Sequence, residues 1–177
     1  MRRFLASRGG AAHLCVRSHK NMNAPFIEEH ITLCRDIQRV LDNAKCRYEL
    51  KEFPVSQGNG PWYEFHIQTK SEHGITLDLV LYDTSFHVMC DECECRVEIE
   101  TYRDNFELFA KDVTAMVTAL FGSNQLRLRK RKTIFGRKTG AIYFEGPGKG
   151  GWCGELFAAK GKGKEHLYKG WVEKNDF

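Results

Sequence analysis

The chain has 177 residues, 42% apolar and 28% charged. That balance excludes collagen, coiled coil and wholesale disorder, and at roughly 100–200 residues per domain it allows one domain with tails. No apolar run approaches the roughly 18 residues of a membrane-spanning helix, and the net charge of +4 hides a strong asymmetry along the chain. Residues 1–22 carry five Lys/Arg and no acid, residues 23–122 nine Lys/Arg against eighteen Asp/Glu, and residues 123–177 thirteen against five. A basic end of this kind points to nucleic acid, a membrane surface or acidic partners. The plainer reading is that the basic part folds against the acidic middle and partly neutralises it.

The expected layout is a basic tail over residues 1–22 and a single α+β domain over residues 23–177. The tail, with Arg2, Arg3, Arg8, Arg17 and scattered Ser but no acid, has the composition of a mitochondrial-type transit peptide and lacks the apolar stretch of a secretory signal. A disordered arm, or a stretch upstream of a true start at Met22, fits as well and is preferred. The expected location is cytoplasmic, or mitochondrial if residues 1–21 are a transit peptide.

From Phe26 to Asn43, Ile27, Ile31, Cys34, Ile37, Val40 and Leu41 recur in steps of three and four, predicting a helix with Glu28 and Glu29 at the positive end of its dipole. His30 falls at the edge of the stripe and reads as a boundary residue. Short alternating segments follow at Arg47–Phe53, Trp62–Thr69, Ile75–Tyr82, Phe86–Cys90 and Cys93–Thr101, separated by turn signals, and predict an antiparallel meander. In the last, Cys95, Val97 and Ile99 face inward while Glu94, Arg96, Glu98 and Glu100 face water. Asp104 and Glu107 suggest a capping box for a helix with Phe106, Phe109, Val113, Met116, Val117, Leu120 and Phe121 on its apolar stripe and Gly122 just past its end. The fold class expected is therefore an antiparallel sheet of about six or seven strands with two helices packed on one face.

The binding signal lies further on. In Gln125–Lys132, Leu126 and Leu128 alternate with Arg127, Arg129 and Arg131, so one side of a strand becomes a row of guanidinium groups. Lys130, Lys132, Arg137 and Lys138 extend the charge through a hairpin predicted at Ile134–Gly140, with Ala141–Glu145 as the return strand. Such a hairpin grips phosphates in a salt-dependent way, and Phe135, Tyr143 and Trp152 supply stacking surfaces for bases. In the competing reading the arginines lie opposite Glu94, Glu98 and Glu100 as cross-strand pairs, each worth about 0.2–1 kcal/mol. Gly146–Lys164, rich in Gly and Lys, reads as a flexible loop able to reach a polyanion. It is no dinucleotide fingerprint, because no helix opens after it. Residues 166–172 read as a last strand.

Seven cysteines, an odd number without a secretory signal, predict thiols in a reducing compartment. Cys90, Cys93 and Cys95 are the one metal-like cluster, but a second knuckle is missing, and neither a metal nor a cofactor is expected. His66-Ile-Gln-Thr69 misses the spacing of a two-histidine phosphoesterase, and no serine- or metallohydrolase motif appears. The expected role is non-enzymatic binding of a protein partner through a charged sheet face, acidic at Glu94, Glu98 and Glu100 and basic at the arginine hairpin. Two alternatives stand beside it: a nucleic-acid-binding module using residues 126–138 and the 146–164 loop, and a hydrolase with a dispersed site. No membrane partner is expected.

Overall fold

The computed structural model describes residues 27–54, 61–91, 93–123, 125–132, 138–145, 151–154 and 163–175, the side chains of Lys132 and Lys138 excepted. The expected tail at 1–22, the hairpin turn with Phe135 and Arg137, and most of the Gly/Lys-rich loop lie outside the described residues. The fold is α+β, and the described residues form two helices and nine antiparallel strands in two sheets, ordered β1-β2-β3-β4-β5 and β8-β7-β6-β9.

Helix α1 (Ile27–Asn43) buries Cys34, Ile37 and Leu41 of the expected stripe together with Leu33, which the stripe leaves out, while Ile27, Ile31 and Val40 are only partly covered. His30 departs from expectation. It is fully buried, its ring centroid lies 4.7 Å from that of Phe106, and Nε2–H donates to the Tyr82 carbonyl at 3.2 Å. The carbonyl can only accept, which fixes the proton on Nε2. A buried imidazole with such a partner costs little, so a position at the edge of an apolar stripe did not imply solvent.

The first sheet is the expected meander. β1 (Tyr48–Phe53), β2 (Trp62–Ile67), β3 (Leu77–Leu81), β4 (Ser85–Cys90) and β5 (Cys93–Glu98) pair in sequence order. Tyr63, Phe65, Ile67, Leu77, Leu79, Leu81, Phe86, Val88, Cys93, Cys95 and Val97 alternate inward and are buried. Only two residues join β4 to β5, and Asp91 takes φ 49°, the left-handed value that a tight hairpin turn requires. β5 ends at Glu98. Residues Ile99–Tyr102 form a 3-10 turn, so Glu100 stands on that turn and not on the strand face expected for it.

Helix α2 (Phe106–Gly122) buries Phe106, Phe109, Val113, Val117, Leu120 and Phe121. Its cap is Asn105 and not Asp104: Asn105 holds the extended backbone of a cap and accepts from Leu108 N–H at 3.1 Å, whereas Asp104 has φ 58°. Gly122 is still helical, and Ser123 ends the helix in right-handed conformation, so the glycine stop is displaced inward by one residue.

The second sheet consists of β6 (Gln125–Lys132), β7 (Lys138–Phe144), β8 (Gly151–Gly154) and β9 (Lys164–Lys169). β8 falls inside the stretch expected to be loop: its four residues include two glycines, too few for any alternation to be read. Leu126, Leu128, Ile142 and Phe144 are buried in the same core cluster as the helices and the first sheet. The chain then returns to the first sheet, with Thr69 and Val172, and Cys46 and Lys174, paired in isolated antiparallel bridges. Trp171, fully buried with its ring centroid 5.4 Å from that of Phe121, sits where this return segment meets α2.

Two expectations about cross-links are overturned. Cys95 and Cys153 form a disulfide joining β5 to β8, so these two cysteines are not thiols, and Cys95 leaves the metal-like cluster. Arg127, Arg129 and Arg131 do not oppose Glu94, Glu98 and Glu100: β5 and β6 belong to different sheets, and β6 pairs with β7 and β9. The seam between the sheets also explains Gly140. A Cβ there would lie 2.9 Å from Cys93 Cα and closer still to its sulfur, so only glycine lets β7 approach β5. No described helix is long and apolar enough to cross a membrane.

Candidate functional site

The inner side of β6 is fixed by Leu126 and Leu128, and a strand alternates. Arg127, Arg129 and Arg131 must therefore leave by the outer side. Register puts Tyr143 of β7 opposite Arg127 and Trp152 of β8 opposite Tyr143. On the other flank, Leu167 and Glu165 of β9 face Arg127 and Arg129. The guanidinium of Arg129 lies 4.0 Å from the centroid of the Trp152 ring, and that of Arg127 lies 5.4 Å from that of Tyr143. The two rings meet edge to face at 5.2 Å. Cation–π contacts of this sort contribute about 0.5–1 kcal/mol each near the surface. Glu165 also binds Arg129, at 3.4 Å. Arg127, Arg129, Arg131 and Lys169, which pairs with Gln125, share this outer face with one acid, Glu165, so the face stays cationic with that pair formed. Leu167, 45% exposed, gives it an apolar spot.

The other sequence-selected residues fall elsewhere. Lys130 projects to the inner side, where Asp91 accepts from its ammonium at 2.8 Å across the seam. Burial pulls its pKa down, but the bond to Asp91 outweighs this and leaves it raised. Lys132 and Lys138 are opposed in register as the last pair before the turn of the hairpin. Glu94 and Glu98 lie on the outer face of the first sheet, engaged by His87 and Arg96 at 2.8 Å each. Cys90 and Cys93 are directly opposed buried thiols, and burial raises the Cys90 pKa far above the thiol range, away from the thiolate a metal would need. Among the described residues no His, Cys, Asp or Glu side chains converge in a metal-binding group.

The first sheet's outer face carries a row that sequence reasoning missed. Phe53 and Trp62 stack at 3.7 Å, Trp62 and Tyr82 at 5.6 Å, and His87 meets Tyr82 edge-on at 4.9 Å. Along this face Ser85 Oγ lies 2.9 Å from His87 Nε2, and His87 Nδ1 lies 2.8 Å from Glu94 Oε1. Ser and His two apart in a strand, with Glu just past a two-residue hairpin, was the available signal; register converts it into one contiguous chain of side chains. A groove of about 550 Å³ lies elsewhere, lined mainly by the small residues Ala110, Thr114, Ala115 and Thr118 of α2, with Asp36 and Glu145. It holds no nucleophile and base in contact.

The chain matches no protein-family model, no curated protein and no solved structure. The reading of its surface therefore rests on the geometry alone.

The His87 bond has a consequence for stability. It lowers the Glu94 pKa below its ordinary 4.5, against an opposing effect of burial and with help from the charges of His87 and Arg96. A depressed carboxylate stabilises the fold above the ordinary value and loses that contribution as pH falls through the folded value. Glu94→Gln is accordingly expected to lower the urea midpoint at pH 7, and the gap to the parent protein is expected to close at pH 3. A gap that stays constant with pH would show that the carboxylate charge plays no part.

Proposed function

We propose that the protein binds through the arginine and aromatic face of the four-stranded sheet, and that this surface takes a single strand of nucleic acid. The observation that carries the proposal is the pair of guanidinium groups against Tyr143 and Trp152 on the outer side of the four-stranded sheet, with Arg131 next in the row. Arginines braced on rings meet phosphates with little further ordering, and the rings offer π-surface beside them. A polyanion approaching such a face displaces counterions, and its affinity falls as salt rises.

The test is fluorescence anisotropy of a labelled 20-nucleotide oligothymidylate over a salt series. Replacing Arg127, Arg129 and Arg131 together by Ala should weaken binding and reduce the magnitude of the log–log salt slope by about 2, at roughly 0.7 per phosphate contact on a single strand. Trp152→Ala should weaken binding by about 1–3 kcal/mol, the worth of a stacked base, while leaving the slope nearly unchanged. Absence of oligonucleotide binding at low ionic strength would end this reading.

A second reading, a protein partner, draws support from Leu167 exposed on the edge strand β9 of the cationic face and from the aromatic row flanked by Glu94 and Glu98 on the other sheet. It predicts that reversing the charge of Glu94 and Glu98 abolishes complex formation and spares oligonucleotide binding.

A further inference from the structure

The Ser85, His87 and Glu94 side chains stand on the other sheet from the cationic face and form a hydrogen-bonded row that binding does not call for. Their polarity follows from the inventory of donors and acceptors. An ionised Glu94 can only accept, so His87 Nδ1 carries a proton; in the neutral imidazole Nε2 then presents its lone pair, and the Ser85 hydroxyl donates to it. A hydroxyl held by a base, and a base oriented by a third group, is the arrangement that activates a serine. Register explains how a meander assembles it. Ser85 and His87 share a face of β4, and Glu94 is directly opposite Met89, one diagonal step from His87.

Two neighbours extend the arrangement. Arg96 is directly opposite His87, and it is held at 2.8 Å by Glu98, which is directly opposite Ser85. The Arg96–Glu98 ion pair therefore flanks the Ser85–His87 pair on the neighbouring strand. On the other side Tyr82 meets the His87 ring, and Trp62 stacks behind it, giving apolar ground for an aromatic group. Ser85 is only 4% exposed, so little room is left at its hydroxyl and the smallest acyl groups are favoured.

We infer that Ser85 is the nucleophile of an esterase site for small carboxylic esters bearing an aromatic group. Ser85 Oγ forms a bond to the carbonyl carbon as its proton passes to His87 Nε2. The addition leaves a tetrahedral oxyanion. Collapse breaks the bond to the leaving oxygen, which takes the proton from His87 and departs as the alcohol. Water then adds to the acyl-serine, gives a proton to His87, and releases the carboxylic acid as the proton returns to Ser85. The sum is ester plus water to acid plus alcohol, with no change of oxidation state. None of these residues belongs to the cationic face, so the two proposals stand or fall separately.

The folded, full-length protein is treated with an alkyl fluorophosphonate, and the modified residue is identified by peptide mass spectrometry. Hydrolysis of p-nitrophenyl acetate is followed in parallel. The expected results are a phosphonyl adduct on Ser85, an initial burst of one nitrophenolate per chain, and a loss of at least about a hundredfold in rate for Ser85→Ala and His87→Ala. Glu94 acts through His87 as a positioning residue. Glu94→Gln should lower the rate and move the acid limb of the pH–rate profile, which a merely structural role leaves in place. The adduct is read on the parent protein and does not depend on any variant folding. A folded protein with no adduct on Ser85, or a Ser85→Ala variant of unchanged circular dichroism and unchanged rate, overturns the inference.

Discussion

Breaking the Cys95–Cys153 bond is expected to cost about 4 kcal/mol of stability. The bond closes a loop with a sequence separation of 58, and the chain-entropy account of cross-linking gives that figure for a loop of this length. The architecture argues that the loss is felt. β5 ends the first sheet and β8 ends the second, and the disulfide is the covalent tie between these two edges. The remaining ties across the seam include the Lys130–Asp91 ion pair and the close packing of Gly140 on Cys93. Denaturant unfolding with and without reductant measures the effect. At roughly 2 kcal/mol per molar of urea, the midpoint should fall by about 2 M on reduction. Superimposable curves would show that the seam holds without the covalent bond.

Trp171→Ala is the second large effect, expected at about 3–5 kcal/mol, the range for removing a fully buried aromatic side chain. Trp171 is at 0% exposure, packs on Phe121, and its carbonyl accepts from Lys70 N–H at 2.9 Å. The residue therefore joins the return segment, α2 and the turn that follows β2. Its indole Nε1 is buried without a hydrogen-bond partner among the described residues, a desolvated donor that itself costs about 1–3 kcal/mol. Trp171→Phe removes that donor and keeps most of the ring, so it should cost far less than the Ala variant. Thermal unfolding separates the two. At about 2–4 °C per kcal/mol for a chain of this size, Trp171→Ala should lower Tm by roughly 10 °C. Equal melting temperatures for the two variants would show that ring packing is not what Trp171 supplies.

Much of the fold was legible in local pattern. Helix α1 and the meander β1 to β5 follow from apolar spacing and turn residues, because each element buries one face and the connections are short. What local pattern missed was decided by tertiary contact. His30 is buried because the Tyr82 carbonyl waits for it. Ile99 and Glu100 leave the strand as the chain turns towards α2. β8 is a strand only because β7 offers it an edge. The division of nine strands into two sheets is likewise invisible to periodicity, which sees each strand but not its neighbour.

The candidate site divides in the same way. Arg127, Arg129 and Arg131 were assigned to one face by alternation alone. Their partners were not, because Trp152 reaches Arg129 through two intervening pairings, β6 with β7 and β7 with β8. The pairing of these arginines with Glu94, Glu98 and Glu100 was wrong because complementary charge says nothing about which strands are adjacent. Ser85, His87 and Glu94 were all in view in the sequence. Their relation appears only once the two-residue turn at Asp91 fixes the register.

The tight meeting of Gly140 and Cys93 gives the protein an internal clock. The Cys93 sulfur is shielded by the strand lying on it, so a small alkylating reagent gains access only when the two layers separate. The rate at which iodoacetamide marks that sulfur in undenatured protein would therefore time the breathing of the molecule, residue by residue, without any unfolding agent. Slow marking would mean that the layers part only in global unfolding; fast marking, that they part while each layer stays intact.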